Sequence, residues 1–141
     1  ILIISSALGL IGAAGYSVYC ATKAGLINFA QSLRRELLHK DIFVQVACPA
    51  DIDTMQYKHE KESMPSWMKE KLHKTKGREN ILSADEVAKR IIKKANNKKK
   101  FLIIINFDIS LLLFLQRVLP QRIMLYLIDK ILPKPAIKGV L

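Results

Sequence analysis

The feature that most limits what this chain can fold into is a pair of short runs rich in β-branched residues, ILII at 1–4 and IFVQVA at 42–47, with one long helical pattern between them. Strand, helix, strand with a long crossover is the βαβ unit of a parallel sheet, because parallel neighbours cannot be joined by a tight turn and need such a crossover. Parallel sheets are covered on both faces, so the first run is expected to be a strand buried on both sides, stopping at Ser5-Ser6 and a small-residue stretch to Gly15. Between the strands, from about 16 to 39, Ala21, Leu26, Ile27, Ala30, Leu33 and Leu37 approximate one helical face, and Arg34, Arg35, His39 and Lys40 gather where cations favour the C-terminal dipole. The second strand ends at Pro49, which cannot donate to a central ladder. In such a βαβ unit ligands collect at the carboxyl ends of the strands, here Ser5-Ser6 and Cys48-Pro49.

Residues 55–80 are polar and lysine-rich, with a stripe of Met64, Trp67, Met68 and Leu72 that reads as a helix docking on the core, a flap over a site being the alternative. At SADEVAKRIIKKA, Ser83 and Glu86 have capping-box spacing, and Val87, Ile91, Ile92 and Ala95 mark the buried face of a helix. A third strand is expected at 101–105. The whole is an α/β chain, and its 141 residues, half of them apolar, suffice for one modest core. Opening on Ile1 with a strand pattern, it reads as the interior of a longer protein.

Two cysteines without C-x-x-C spacing argue against a disulfide scaffold and for a reducing, cytosol-facing compartment. The net charge of +11 points to an acidic partner surface, nucleic acid or anionic lipid. The most basic run, KRIIKKANNKKK, has no interleaved aromatics for base stacking, so it reads as a solvated helix end and nucleic acid is rejected. Asp51 and Asp53 have no histidine at ligand spacing, and no metal site is expected.

The chemically suggestive pair is Tyr19 and Lys23. Four residues apart on a helix, they share a face and can address one spot in a cleft. A nearby ammonium stabilises phenolate, and the same phenol can give a proton to a carbonyl oxygen or take one from an alcohol. Ser6, at a strand end, can donate to that oxygen. Taken alone, Y-x-x-x-K is a weak signal and is better served by a half-buried tyrosine beside a snorkelling lysine.

Together, however, Ser6, the small-residue loop, Tyr19, Lys23 and the strand ending at Cys48-Pro49 keep the order and spacing of one family. The segment IISSALGLIGAAGYSVYCATKAGL resembles the active-site segment of the short-chain dehydrogenase/reductase family. There the serine lies thirteen positions before the tyrosine, which selects Ser6 over Ser5 and Tyr19 over Tyr16. The resemblance implies the C-terminal half of a doubly wound, parallel-sheet, Rossmann-like fold over 1–106, with NADP favoured over NAD as cofactor and a small carbonyl or alcohol compound as substrate. Tyr19 would be the general acid/base. Lys23 would lower its pKa and hold the nicotinamide ribose, while Ser6 would bind the substrate oxygen. In PADIDT, Pro49, Ile52 (through its backbone) and Thr54 would border the nicotinamide, although Ala50 replaces the family's usual glycine. The family's glycine-rich phosphate loop, its Asn-Asn-Ala-Gly strand end and its catalytic asparagine lie upstream of the tyrosine and are absent here.

Residues 107–141 are expected to form an amphipathic helical tail. Its run FDISLLLFLQRVLPQRIMLYLIDKILPKP is too interrupted for a clean membrane span, and it reads as two apolar helices broken at Pro120. With Arg117, Arg122, Lys130, Lys134 and Lys138 beside them, these suit a monotopic anchor lying in the cytoplasmic surface of a bilayer. A similar tail follows the fold in membrane-associated members of the family that resemble 3-ketodihydrosphingosine reductase, which makes a long-chain lipid ketone the leading substrate. Packing of the tail on the body or on a second subunit stays open, as does a homodimer through the helix carrying Tyr19. The alternative function is a non-catalytic fragment that binds membrane surfaces.

Overall fold

The computed structural model describes residues 1–66, 69 and 81–132. Strand β1 (Leu2–Ile4) pairs in parallel with β2 (Gln45–Ala47), which pairs in parallel with β5 (Leu102–Ile103), in the order β1-β2-β5. Helix α1 (Ser17–Glu36) connects β1 to β2, and α3 (Ala84–Ala95) precedes β5. A smaller parallel pair, β3 (Ile52–Asp53) with β4 (Leu82–Ser83), was not foreseen, since two residues are too few for any periodicity to register.

The alternation of side chains along β2 puts a core on each face of the sheet. Val46 and the following Cys48 pack with Val44 against Ile27 and Ala30 of α1. Ala47 and Ile103 meet Val87 and Ile91 of α3 on the other side. Both helices bury narrower stripes than the sequence suggests. Ala21 is exposed because it lies about a third of a turn from Ile27 on the helix, and Ile92 is exposed because it is about 100° round from Ile91. Leu33 and Leu37 pack at the edge of the first core.

The first strand departs further from expectation. Ile1, Leu2 and Ile4 are exposed and only Ile3 is half-buried, because β1 is an edge strand whose pairing runs to β2 alone among the described residues. The polar residue within the second run has a local explanation: Gln45 is buried, and its Nε2 donates to the carbonyls of Asn97 (3.0 Å) and Lys100 (2.9 Å), tying the turn before β5 to β2. Ile103, 1% exposed between α3 and β2, is a measure of this core. Replacing it by Ala in the full-length protein is expected to cost about 2–5 kcal/mol, read as a lowered denaturation midpoint at unchanged m-value.

Ser83 caps α3 by accepting from the Glu86 N–H (3.3 Å). The Glu86 carboxylate accepts from Arg90 Nε at 2.8 Å, and that bond and charge hold it below its ordinary range. After β3, α2 (Met55–Ser63) is capped by Thr54, whose hydroxyl accepts from the Tyr57 N–H at 3.2 Å. It buries no residue, and Met64 ends it in extended conformation. Trp67, Met68 and Leu72 of the anticipated stripe lie outside the described residues.

Helices α4 (Phe107–Val118) and α5 (Gln121–Ile131) stand on either side of Pro120. Phe107, Leu111, Phe114 and Val118 are all exposed, and their spacing of i, i+4, i+7 and i+11 places them on one stripe of α4. On α5, Met124 is buried, and Lys130 Nζ sits 4.5 Å from the Tyr126 ring centroid. Among the described residues no helix is long and apolar enough to cross a membrane. Lys134 and Lys138 lie outside those residues.

Candidate active site

The end of β1 carries two serines that the strand's alternation sends in different directions. Ser5 is buried; its N–H donates to the Ala47 carbonyl and its hydroxyl donates to the Lys23 carbonyl, both at 2.8 Å. Ser6 is half-buried, and its hydroxyl accepts from the Leu8 N–H at 3.2 Å, capping a 3-10 turn at Ala7–Gly9. The loop then reaches Gly15, whose φ of 84° lies in the left-handed region that a glycine adopts freely, and α1 starts two residues later.

On α1, the i, i+4 spacing brings Tyr19 and Lys23 together as the sequence suggests. The Lys23 ammonium stands 5.4 Å from the Tyr19 ring centroid, within range of a cation–π attraction, and both side chains are half-buried. Tyr16, one turn earlier, meets Tyr19 edge-on with centroids 6.1 Å apart and planes at 70°. Its own hydroxyl is otherwise engaged. Burial first, then a hydrogen bond to Glu60 of α2 and the negative charges of Glu60 and Asp51, push the Tyr16 phenol far above the ordinary tyrosine range. Tyr16 therefore stays protonated at any physiological pH, and it ties α2 to the helix that carries Tyr19.

The post-β2 loop lies beside the serines. The Ala7 N–H donates to the Pro49 carbonyl at 2.8 Å, which seats buried Pro49 next to the turn that Ser6 caps. The Ala50 N–H donates to Asn106 Oδ1 at 3.3 Å, so the start of α4 holds the loop at Ala50. Ile52 turns its side chain toward the α3-side core, and its backbone runs in the β3–β4 ladder opposite Leu82. Thr54 lies at the start of α2, with Asp53 Oδ1 4.0 Å from Lys58 Nζ at the surface. Cys48, at the end of β2, is fully buried. Burial pushes its thiol up to about 11, the polar Ser5 hydroxyl and Ser6 backbone beside it only partly offset this, and the neutral thiol is a packing group rather than a nucleophile.

Sequence reasoning missed Ser5, Glu60 and Asn106. The alternation of strand side chains could have singled out Ser5 as the inward serine; Glu60 and Asn106 reach the site through tertiary contacts that leave no local pattern. The structure thus brings the Lys23 ammonium to the Tyr19 ring and the Pro49 carbonyl to the turn that Ser6 caps; a phenol and a hydroxyl are groups that can exchange a proton with, or donate a hydrogen bond to, an oxygen.

Comparison with known proteins bears on this geometry. The family model described as short chain dehydrogenase matches residues 1–65. The chain is 37% identical over 97 residues to 3-ketodihydrosphingosine reductase of Dictyostelium discoideum, covering 69% of this chain and 28% of that protein. It is 46% identical over 59 residues to 3-oxoacyl-[acyl-carrier-protein] reductase of Rattus norvegicus, covering 42% and 25%. It thus spans between a quarter and a third of the length of these relatives. Among solved structures, a short-chain dehydrogenase from Sphingobium yanoikuyae in complex with NADPH aligns over all of this chain and 49% of its own, with a TM-score of 0.60 at 19% identity. A bulky-bulky ketone specific alcohol dehydrogenase from Comamonas testosteroni aligns over 99% and 45%, with a TM-score of 0.57 at 20% identity. The parallel sheet with helices on both faces is the fold these two share with it, and the matched segment is the one that carries Ser6, Tyr19 and Lys23: the chain belongs to the short-chain dehydrogenase family.

Proposed function

We propose that this chain carries the proton-transfer site of an NAD(P)(H)-dependent oxidoreductase that interconverts a ketone and a secondary alcohol. The observation that carries this reading is the Lys23 ammonium over the Tyr19 ring, on the helix that follows the Ser6 strand end. Tyr19 donates its proton to the carbonyl oxygen in reduction and recovers one in oxidation. Ser6 donates a hydrogen bond to the same oxygen and holds it where charge develops. Lys23 sets its ammonium against the Tyr19 ring, within cation–π range, and so holds the phenol in place.

The residues present fit the nicotinamide end of the cofactor. The Thr54 hydroxyl uses one lone pair as an acceptor for the Tyr57 N–H and keeps its proton to donate to an amide, while Ile52, with its side chain in the core, offers only backbone. Pro49, Ile52 and Thr54 would border the ring, and Lys23 would reach ribose hydroxyls. When bound, the cofactor supplies or accepts the hydride. NADP is favoured over NAD because a protein of like fold is known in complex with NADPH.

The substrate reading is a long-chain lipid ketone such as 3-ketodihydrosphingosine, supported by the 37% identity to a reductase of that name and by the exposed apolar stripe on α4. Phe107 at 80% exposed and Phe114 at 61%, with Arg117, Arg122 and Lys130 exposed nearby, suit a helix pair lying in an anionic membrane surface, on its cytoplasmic side. The test is NADPH oxidation by the full-length protein with 3-ketodihydrosphingosine against short-chain ketones; a preference for the short ketones would overturn the lipid assignment. In the same assay Lys23→Ala is expected to weaken NADPH binding by about tenfold, the loss of roughly one charged hydrogen bond, as well as lowering turnover.

A further inference from the structure

Lys23 lies in the interior of α1, where its carbonyl already has a helical partner in the N–H four residues on. The Ser5 hydroxyl nevertheless donates to that carbonyl at 2.8 Å, from a residue only 4% exposed. This bond caps no helix end and rescues no orphaned backbone group. What it does is fix a distance between the β1 end and one particular turn of α1. Gly9 closes on the same point from the 3-10 turn. A Cβ at Gly9 would stand 2.8 Å from the Lys23 carbonyl carbon, 2.9 Å from its oxygen and 3.0 Å from Ser5 Oγ, so only glycine lets the turn approach this closely. Ser5 is itself held to the sheet by its N–H bond to the Ala47 carbonyl. A weaker link from the same helix face, Cys20 Sγ to the Ile11 carbonyl, measures 3.9 Å.

We propose that Ser5 and Gly9 are positioning residues for the reaction: together they set how far along and how close to the strand end α1 sits, and thereby the placement of Tyr19 and Lys23 relative to Ser6. Ser6 adjoins Ser5 on one element, and Tyr19 and Lys23 ride on the other, so the Ser5–Lys23 bond is a direct side-chain tie between the two halves of the site. The inference rests on the proposed roles of Ser6, Tyr19 and Lys23. It adds that the neighbouring serine acts on the chemistry without touching substrate. Without the Ser5 hydroxyl the tie is lost but nothing clashes; with a methyl at Gly9 the Lys23 peptide must retreat by several tenths of an ångström, and alignment at this scale is worth up to about 10²-fold in rate.

The experiment measures kcat and KM of the full-length protein with NADPH and 3-ketodihydrosphingosine, with thermal melting in parallel. Ser5→Ala is expected to lower kcat by about tenfold and Gly9→Ala by up to about 10²-fold, with KM for NADPH within about twofold. The double variant should match Gly9→Ala alone, since both changes act through one distance. A purely structural role would lower the melting temperature and leave kcat of the folded protein in place, and that result would overturn the proposal. If Gly9→Ala does not fold, Ser5→Ala decides by the same separation of kcat from KM. Tyr19→Phe serves as the control: full activity in that variant refutes the catalytic reading itself, whereas an inactive Tyr19→Phe beside a Ser5→Ala with unaltered kcat refutes the positioning inference alone.

Discussion

Tyr19→Phe in the full-length protein is expected to lower kcat for ketone reduction by about 10²-fold or more while leaving NADPH affinity nearly unchanged. The substitution removes one oxygen and keeps the ring, so the edge-on contact with Tyr16 and the Lys23 ammonium over the ring face both persist. What disappears is the proposed proton donor to the carbonyl oxygen. Water can replace it only without fixed orientation. Tyr16 is a poor substitute, since its hydroxyl is bonded to Glu60 and its phenol is held protonated far above the ordinary range. Steady-state turnover with fluorescence titration of NADPH separates the two quantities. Turnover equal to wild type would remove Tyr19 from the mechanism.

Phe107→Ser, Phe114→Ser and Val118→Ser combined are expected to abolish measurable binding to vesicles of mixed phosphatidylcholine and phosphatidylserine. Each of these residues is exposed on one stripe of α4, so the triple change leaves the described cores intact. Burying such a side chain in the acyl boundary contributes about 1.5–3 kcal/mol, and losing three exceeds a 10²-fold change in partitioning. Arg117, Arg122 and Lys130 add roughly 1 kcal/mol each beside anionic lipid, a part that weakens as salt shortens the Debye length toward about 3 Å at 1 M. Sedimentation with vesicles, at low and high salt, reads both contributions. If the wild-type protein ignores vesicles and the triple variant dissociates a dimer or melts early, the stripe belongs to a protein interface, and the lipid-ketone reading loses its main physical support.

The parts of this protein that local chemistry controls could be read from its residues. The βαβ order followed from two β-branched runs around one amphipathic segment, the start of α3 from the Ser83 cap, and the Tyr19–Lys23 contact from a spacing of four on a helix, because each depends on neighbours within a turn or a strand. Burial was legible only in part. The two-sided burial expected of β1 failed because exposure depends on what lies across the sheet edge, and the stripes on α1 and α3 proved narrower because the area covered depends on the partner surface. The β3–β4 pair, the Ser5 bond to Lys23, the approach of Gly9 and the Asn106 hold on Ala50 were decided by tertiary structure alone. They join residues far apart in the chain, through single contacts with no period. Which residue types could do the chemistry was thus determined by sequence; which turn of the helix stands against the strand end was determined by the packing of that strand end, a tight turn and the helix against one another.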